Sequence, residues 1–236
     1  DSSANETSSA AWHPVRVPHD WGVEGTFDPA RPYGDAYLDP TGVGWYRFGF
    51  TPRAEESKRL KKGGKVFFES NGAMSNAKVW INGHHVGGWA YGYTPFRCEL
   101  TPHVVADGEN EIVVRCENEA DSSRWYTGGG LYRECRLAWG DADYLVPGSV
   151  AISTRDVGER EATVEVAYEM SLSGRKTRSF KIADPVLWDV DNPHLYSVEI
   201  EGETFRYGIR TIQWTADDGF HAARDLSITG GTFWLT

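Results

Sequence analysis

The stretch that decides the fold is residues 118–133, which read NEADSSRWYTGGGLYR and lead from a charged turn into a new apolar strand. Three consecutive glycines destabilise a helix and add no side chain to a core, but they let the backbone bend and pack closely. Such a run is typical of a loop at the mouth of a β-fold. Arg124, Trp125 and Tyr126 stand just before the glycines and combine a hydrogen-bonding fork with flat apolar faces. We therefore predict a β-fold with a loop suited to contact a sugar.

Alternating apolar residues recur along the chain, whereas helical periodicity is nearly absent. Asn82 and Gly83 separate two apolar runs, and this dipeptide is the strongest short hairpin signal because both residues tolerate positive φ. Ile112, Val114 and Cys116 alternate with charged neighbours and define one buried face. The spacing of runs and turns predicts an antiparallel sandwich. Its predicted strands include residues 65–70, 77–81, 109–117 and 131–139.

A second alternating set begins after a boundary near residues 140–143. Residues 163–170 place Val164, Val166, Tyr168 and Met170 on one face, and further strands are predicted over 196–200 and 204–212. These runs predict a second all-β domain of roughly 70 residues, which is short for an immunoglobulin-like sandwich of about 100 residues. The predicted organisation is a domain over 1–140, a domain over 141–214, and a tail or truncated next element over 215–236.

The charge balance and the cysteines exclude several classes of function. A net charge of −10 argues against nucleic acid or an anionic membrane as a partner, because phosphate binding needs clustered cations. There is no apolar run of about 18 residues to span a bilayer and no basic-then-apolar N-terminus to act as a signal peptide. The three cysteines lack metal-ligand spacing and are interpreted as free buried thiols. We predict no metal site and no cofactor.

One basic cluster, residues 58–62, precedes Gly63 and Gly64. We interpret it as a solvated hairpin loop rather than a nucleic-acid contact.

Six motifs in order carry a resemblance to a known family. They are Val17–Trp21 (VPHDW), Gly44–Arg47 (GWYR), Val79–Gly87 with Gly92–Phe96, Ser123–Arg133, Leu187–Tyr196 and Tyr207–Ile212. The set resembles the family 2 glycoside hydrolases, the β-galactosidase family, and spans about residues 12–220. Each motif alone is weak, but six in the same order are highly specific.

The resemblance implies an all-β chain made of a jelly-roll (galactose-binding-like) β-sandwich and a short immunoglobulin-like β-sandwich. In the family these domains precede a TIM barrel with two catalytic glutamates, the carboxylate pair that a retaining glycosidase needs. Asn-Glu pairs occur here at residues 5–6, 110–111 and 118–119, none in a βα context, so they are interpreted as turn or strand-edge residues. We predict no catalytic residue in this chain, a missing barrel as its partner domain, and a carbohydrate ligand, with a β-galactoside favoured.

Four residues are the candidate substrate contacts: Asp121, Arg124, Trp125 and Tyr126. A carboxylate accepts from neighbouring hydroxyls and an arginine donates a fork to them; in the family this loop helps to shape the subsite for the terminal sugar. The alternative for Asp121 and Arg124 is a structural pair that fixes the loop. For Trp125 the favoured alternative is a plug beneath the glycines, at the end of the sandwich.

His19 and Asp20 resemble part of a catalytic dyad, but no nucleophile accompanies them. A hydrogen-bonding role in a turn or between domains is favoured. For the chain as a whole, three alternatives stay open: a stand-alone carbohydrate-binding module, a purely structural β-module, and a fragment of a β-glucuronidase or β-mannosidase.

Overall fold

The computed structural model describes residues 12–31, 34, 36–158 and 160–210. Contacts between Cα atoms divide the chain into two compact units, Asp1–Ala142 and Asp143–Thr236. The predicted tail over 215–236 lies outside the described residues. In the described ranges no helix is long and apolar enough to cross a bilayer.

The first unit is built from two antiparallel sheets. In chain order its elements are β1 (Gly42–Phe50), α1 (Ala54–Lys61), β2 (Lys65–Ser70), β3 (Ala77–Ile81), β4 (His84–Trp89), β5 (Phe96–Glu99), a 3₁₀ turn (Thr101–His103), β6 (Asn110–Asn118) and β7 (Cys135–Gly140). One sheet has the strand order β1-β6-β3-β4 and the other β5-β2-β7. The non-sequential order follows from long connections, as expected for a sandwich rather than a simple meander.

The core of the first unit follows the predicted alternation. Ile112, Val114 and Cys116 on β6 are buried against Val79 and Ile81 on β3. The Asn-Gly pair connects β3 to β4 with both residues at positive φ, 49° and 81°, the geometry of a type I′ hairpin turn. The predicted strands over 65–70 and 77–81 and the hairpin are therefore confirmed.

The basic cluster at 58–62 is not a hairpin loop, so that prediction was wrong. It forms the second half of α1, which begins after Arg53. The Glu56 carboxylate accepts a hydrogen bond from the Arg53 backbone N–H at 2.7 Å, which satisfies a free donor at the helix start. Glu55 and Glu56 at the start and the basic residues at the end both complement the helix dipole. Sequence analysis missed the helix because it is short and its one buried side chain is Ser57.

The strand predicted over 131–139 begins later, as β7 at Cys135. Leu131 is buried, but its carbonyl accepts from the His19 N–H at 2.8 Å instead of pairing within the sheet. Residues 131–134 thus belong to the loop that precedes β7.

The second unit contains two further antiparallel sheets. Its strands are β8 (Ala151–Arg155), β9 (Glu161–Met170), β10 (Gly174–Ala183), β11 (Tyr196–Ile200) and β12 (Glu203–Tyr207). They form the sheets β10-β9-β8 and β11-β12. Val164, Val166, Tyr168 and Met170 are buried on one face of β9, as predicted. The all-β class with two successive β-sandwich units is confirmed.

The two predicted motifs of the second unit meet in space. The Trp188 N–H donates to the Ile209 carbonyl at 2.7 Å, and the Arg210 guanidinium lies 5.0 Å from the Trp188 ring centroid. Gly208 fits beneath this tryptophan, since a Cβ there would lie 3.1 Å from it. The predicted last strand, 204–212, is shorter because Ile209 turns to this contact; residues 211 and 212 are outside the described part.

The three cysteines are free thiols, as predicted; Cys98 and Cys116 are buried, whereas Cys135 is half-buried. Burial raises the pKa of Cys98 to about 11 and that of Cys116 to about 12. Neither thiol ionises near neutral pH, which fits a packing role.

Candidate functional site

The glycine triplet is required by close packing. Gly128 and Gly130 have φ of 76° and 94°, a region that side chains disfavour. A Cβ on Gly129 would lie 2.4 Å from the Trp21 indole, and one on Gly130 would lie 2.0 Å from Tyr46 Oη. The glycines therefore let the loop lie directly on Trp21 and Tyr46.

The Asp20 carboxylate holds this loop in place through hydrogen bonds. Its Oδ1 accepts hydrogen bonds from the Gly22 N–H at 3.0 Å and the Gly129 N–H at 2.9 Å. The Tyr126 hydroxyl donates to the carboxylate, 2.9 Å from each oxygen. Burial and the neighbouring Asp20 carboxylate raise the pKa of Tyr126, so the hydroxyl keeps its proton. Asp20 thus has a hydrogen-bonding role within the first unit, as favoured for the His19-Asp20 turn.

Asn118 holds the other end of the loop. It is 2% exposed at the end of β6. Its Nδ2 lies 2.9 Å from three acceptors, the Pro40 carbonyl, Thr127 Oγ1 and the Gly128 carbonyl. Sequence analysis interpreted Asn118 as a turn or strand-edge residue. In the structure, its buried side-chain amide also links the loop to the segment before β1 by hydrogen bonds.

His19 lies in the same network. Its Nδ1 is 2.8 Å from Tyr46 Oη, and its Nε2 is 3.2 Å from Glu24 Oε2, within ion-pair distance but without hydrogen-bond geometry. Burial raises the pKa of Tyr46, which therefore remains a phenol and can donate to Nδ1. These contacts give His19 a hydrogen-bonding role within the turn, as favoured from the sequence.

Trp21, not Trp125, fills the space beneath the glycines, so the plug interpretation of Trp125 was wrong. The Trp21 Nε1–H donates to the Pro40 carbonyl at 2.9 Å, and its backbone N–H donates to Gly129 at 3.2 Å. Trp125 is 58% exposed, and its indole Nε1–H donates to Tyr93 Oη at 2.8 Å. Along the chain, burial increases after Trp125: the next two residues are half-buried, and the three glycines that follow them are buried.

Asp121 and Arg124 both lie exposed on the surface of the loop. Asp121 adopts a φ of 56°. Within the part of the chain that the structure describes, Arg124 forms no ion pair with Asp121, and its guanidinium has no hydrogen-bond partner. The structural-pair alternative is therefore not what the structure contains. Of the four candidate contacts, three face outward, while the Tyr126 hydroxyl is engaged by Asp20.

A large hollow in the first unit adjoins the inner side of this loop, since Trp21, Tyr46 and Leu131 are among its lining residues. It has a volume of about 1300 Å³ and is lined mainly by aromatic and aliphatic side chains of the sandwich, among them Phe50, Ile112 and Trp139. None of the four candidate contacts lines it. We interpret the hollow as the gap beside the unpaired edges of β1 and β7 and do not assign it to sugar contact.

Among residues 12–31, 34, 36–158 and 160–210, no group of three or more His, Cys, Asp or Glu side chains is arranged to hold a metal ion. The chemistry that the loop offers is hydrogen bonding by Arg124 and Asp121 and stacking on Trp125.

Comparison with known proteins relates this chain to one family of enzymes. Residues 140–210 match the model of the family named Glycosyl hydrolases family 2. A beta-galactosidase of Bacteroides ovatus is 29% identical, in an alignment that covers 89% of the chain. The chain is therefore similar to proteins of glycosyl hydrolases family 2, and residues 140–210 match the model of that family. The resemblance inferred from the six motifs is thereby confirmed.

Other proteins similar to this chain carry names that point to different substrates. A beta-glucuronidase of Bacteroides fragilis is 29% identical over 68% of the chain. A beta-glycosidase structure from Bacteroides vulgatus superposes with a TM-score of 0.74 at 26% identity, covering 88% of this chain and 31% of that one. A family 2 member from Bacteroides cellulosilyticus gives 0.75 at 26% identity, with 92% and 34% covered. The chain spans 29% of the length of the Bacteroides ovatus relative and 23% of the Bacteroides fragilis one.

Proposed function

We propose that this chain is the non-catalytic N-terminal part of a family 2 glycosidase that acts on β-galactosides, and that its Arg124 loop contacts the terminal sugar. The observation that carries the proposal is the contrast between the two sides of the loop. Its inner side is fixed by Asp20 and Asn118, whereas the Arg124 guanidinium on its outer side is exposed and without a partner in the described structure. Because the loop backbone is fixed and the N–H donors of the guanidinium are free of partners among the described residues, the loop is preorganised for a ligand with paired hydroxyl groups.

The non-catalytic part of the proposal is supported by how the carboxylates are used. Asn110 and Glu111 lie in β6, and Asn118 and Glu119 lie at its end, which bears out their interpretation as strand-edge and turn residues; Asn5 and Glu6 are outside the described residues. Burial opposes ionisation of Glu69, but hydrogen bonds from Arg136 and Arg97 outweigh it and lower its pKa. A carboxylate held ionised by two arginines is a poor general acid. We expect no turnover of nitrophenyl β-galactoside by the pure chain; measurable hydrolysis would contradict this part of the proposal.

The sugar contact is tested by binding. We expect methyl β-galactoside to bind the chain with a millimolar Kd in an NMR titration. Arg124→Ala should weaken it roughly tenfold or more, since a hydrogen bond from a charged group is worth about 1.5–3 kcal/mol. Arg175→Ala, which removes another exposed arginine from the second unit, is the matched control and should bind like the wild type. Equal affinity of the Arg124 and Arg175 variants would overturn the contact.

A β-glucuronide is the second candidate ligand, favoured by the same arginine. A guanidinium pairs with a carboxylate in a bidentate geometry and gains more from it than from neutral hydroxyls. The same titration with methyl β-glucuronide separates the two. If the glucuronide binds more tightly than the galactoside, and its affinity falls as the salt concentration is raised from about 10 to about 300 mM, a β-glucuronide replaces the β-galactoside as the proposed ligand.

A further inference from the structure

Four aromatic side chains come from the glycine loop and from the end of β4 with the turn that follows it, and we call them the aromatic shelf: Trp89, Tyr91, Tyr93 and Trp125. Direct contacts join Trp125 to Tyr93 and Tyr93 to Tyr91. Trp89 is the last residue of β4, and Tyr91 and Tyr93 lie in the turn that follows it. Trp125 comes from the glycine loop and is the direct neighbour of Arg124. Two segments more than 30 residues apart in the chain therefore meet at this surface.

The two indole N–H groups of the shelf donate to acceptors within the protein. Trp125 Nε1–H donates to Tyr93 Oη at 2.8 Å, and Trp89 Nε1–H donates to Thr94 Oγ1 at 2.8 Å. Tyr91 meets Tyr93 edge to face, with centroids 5.5 Å apart. Because each indole N–H already has an acceptor, a ligand on the shelf meets ring faces rather than donors.

The turn that carries the shelf is fixed from below. The Gly92 carbonyl accepts from Tyr132 Oη at 2.8 Å, and the Tyr93 carbonyl accepts from Arg133 at 3.0 Å. Gly92 is buried against Met74, where a Cβ would lie 2.4 Å from the methionine Cε and Sδ. The rings are thus held in place before any ligand arrives, which reduces the entropy lost on binding.

Despite this support, three of the four rings are exposed to solvent, and Tyr93 is half-buried. Tyr91 is 59% exposed, Trp125 58% and Trp89 48%. Clustered exposed aromatic surface marks a site of interaction. A stack of nucleobases would bring phosphates to a chain of net charge −10, which disfavours it. The apolar faces of pyranose rings need flat aromatic partners and bring no charge.

We infer that the aromatic shelf binds the inner units of an oligosaccharide whose terminal sugar contacts Arg124. The inference rests on the proposed function for the terminal sugar, and it adds a preference for extended glycans over monosaccharides. Tyr91, Tyr93 and Trp89 become specificity-determining residues that the glycine-loop sequence does not reveal.

The test compares β-1,4-galactotetraose with methyl β-galactoside on the intact chain. We expect the tetrasaccharide to bind roughly tenfold more tightly. Tyr91→Ala should remove most of that gain and leave the affinity for the methyl glycoside unchanged. Tyr91 is the chosen position because its side chain takes no part in the Trp125–Tyr93 hydrogen bond, so its removal leaves the loop contact in place.

Two further variants separate stacking from loop support. Tyr93→Phe keeps the ring and loses the hydroxyl that accepts from Trp125, and we expect it to retain at least half of the tetrasaccharide gain. Phe48→Ala removes an exposed ring elsewhere in the first unit and should change nothing. In the NMR spectra, the indole N–H signals of Trp125 and Trp89 should shift with the tetrasaccharide.

The outcomes distinguish the two proposals. If the tetrasaccharide binds no more tightly than the methyl glycoside, or if Tyr91→Ala has no effect, the shelf is overturned and the Arg124 contact stands on its own titration. If Tyr91→Ala weakens tetrasaccharide binding while Arg124→Ala does not, the shelf stands and the terminal contact is overturned. Failure of the tetrasaccharide to bind at all overturns the shelf.

Discussion

At the scale of single residues, the glycine loop depends on missing side chains as much as on present ones. Gly129 and Gly130 leave room for Trp21 and Tyr46, and the carboxylate of Asp20 then reaches the loop backbone. This packing fixes the backbone next to Arg124. The two glycines thereby fix the backbone position of Arg124.

We expect Gly130→Ala to destabilise the first unit more than a glycine replacement in open space. Gly83 is the matched control, since its φ of 81° is close to the 94° of Gly130 and a Cβ there meets no atom within 4 Å. Gly83→Ala should cost about 1–2 kcal/mol through the left-handed conformation alone. Gly130→Ala should cost a further 1–3 kcal/mol, roughly the price of overpacking. Urea unfolding measures both, and equal losses would show that packing on Tyr46 is unimportant.

At the scale of elements, Glu69 joins the three strands of the smaller sheet. It lies on the central strand β2, directly opposite Arg97 on β5 and Arg136 on β7. Its two oxygens accept from Arg97 Nε at 2.7 Å and Arg136 Nε at 2.6 Å. A cross-strand pair of opposite charges stabilises a sheet, and here one carboxylate serves both neighbours.

This clamp makes stability depend on pH. The folded pKa of Glu69 is lowered because the two arginine hydrogen bonds outweigh burial, so the stabilisation is complete above the unfolded value of 4.5 and is lost as pH falls through the folded pKa. At pH 7, Glu69→Gln should lower the free energy of unfolding by about 1–3 kcal/mol. The difference from wild type should shrink as the pH falls below about 4.5.

The control for this experiment is Glu134→Gln, which changes an exposed carboxylate of the same unit. Its free energy of unfolding should equal that of the wild type at pH 7 and at pH 3. If the difference in the free energy of unfolding between wild type and Glu69→Gln stays constant from pH 7 to pH 3, the proposed role of Glu69 is contradicted.

At the scale of the whole molecule, the two units have separate cores. The first is centred on residues such as Val79, Ile81 and Ile112, and the second on Val164, Val166 and Ile200. The second core is small, and a domain of about 70 residues buries a modest fraction of its surface. The division proposed from the sequence, 1–140 and 141–214, is open to direct test.

We expect residues 141–214, produced alone, to fold and to unfold cooperatively with denaturant. A dispersed ¹H–¹⁵N NMR spectrum would be the measurement. Val166→Asp, which places a charge at a position with no exposure, should abolish the dispersion because an unpaired buried charge is strongly disfavoured. A collapsed spectrum for the unaltered fragment would show that the second unit is not an independent domain.

Local alternation, turn chemistry and ordered motifs were enough to predict the β class, the Asn82-Gly83 hairpin, the buried face of β9 and the family resemblance. They also pointed to the loop that carries Arg124. The folded structure was needed to show that Trp21 rather than Trp125 lies beneath the glycines, that residues 58–62 end a helix, and that Tyr91 and Tyr93 join Trp125. These outcomes depend on contacts between segments far apart in the chain, and neither periodicity nor turn preference encodes which distant side chain will fill a given space.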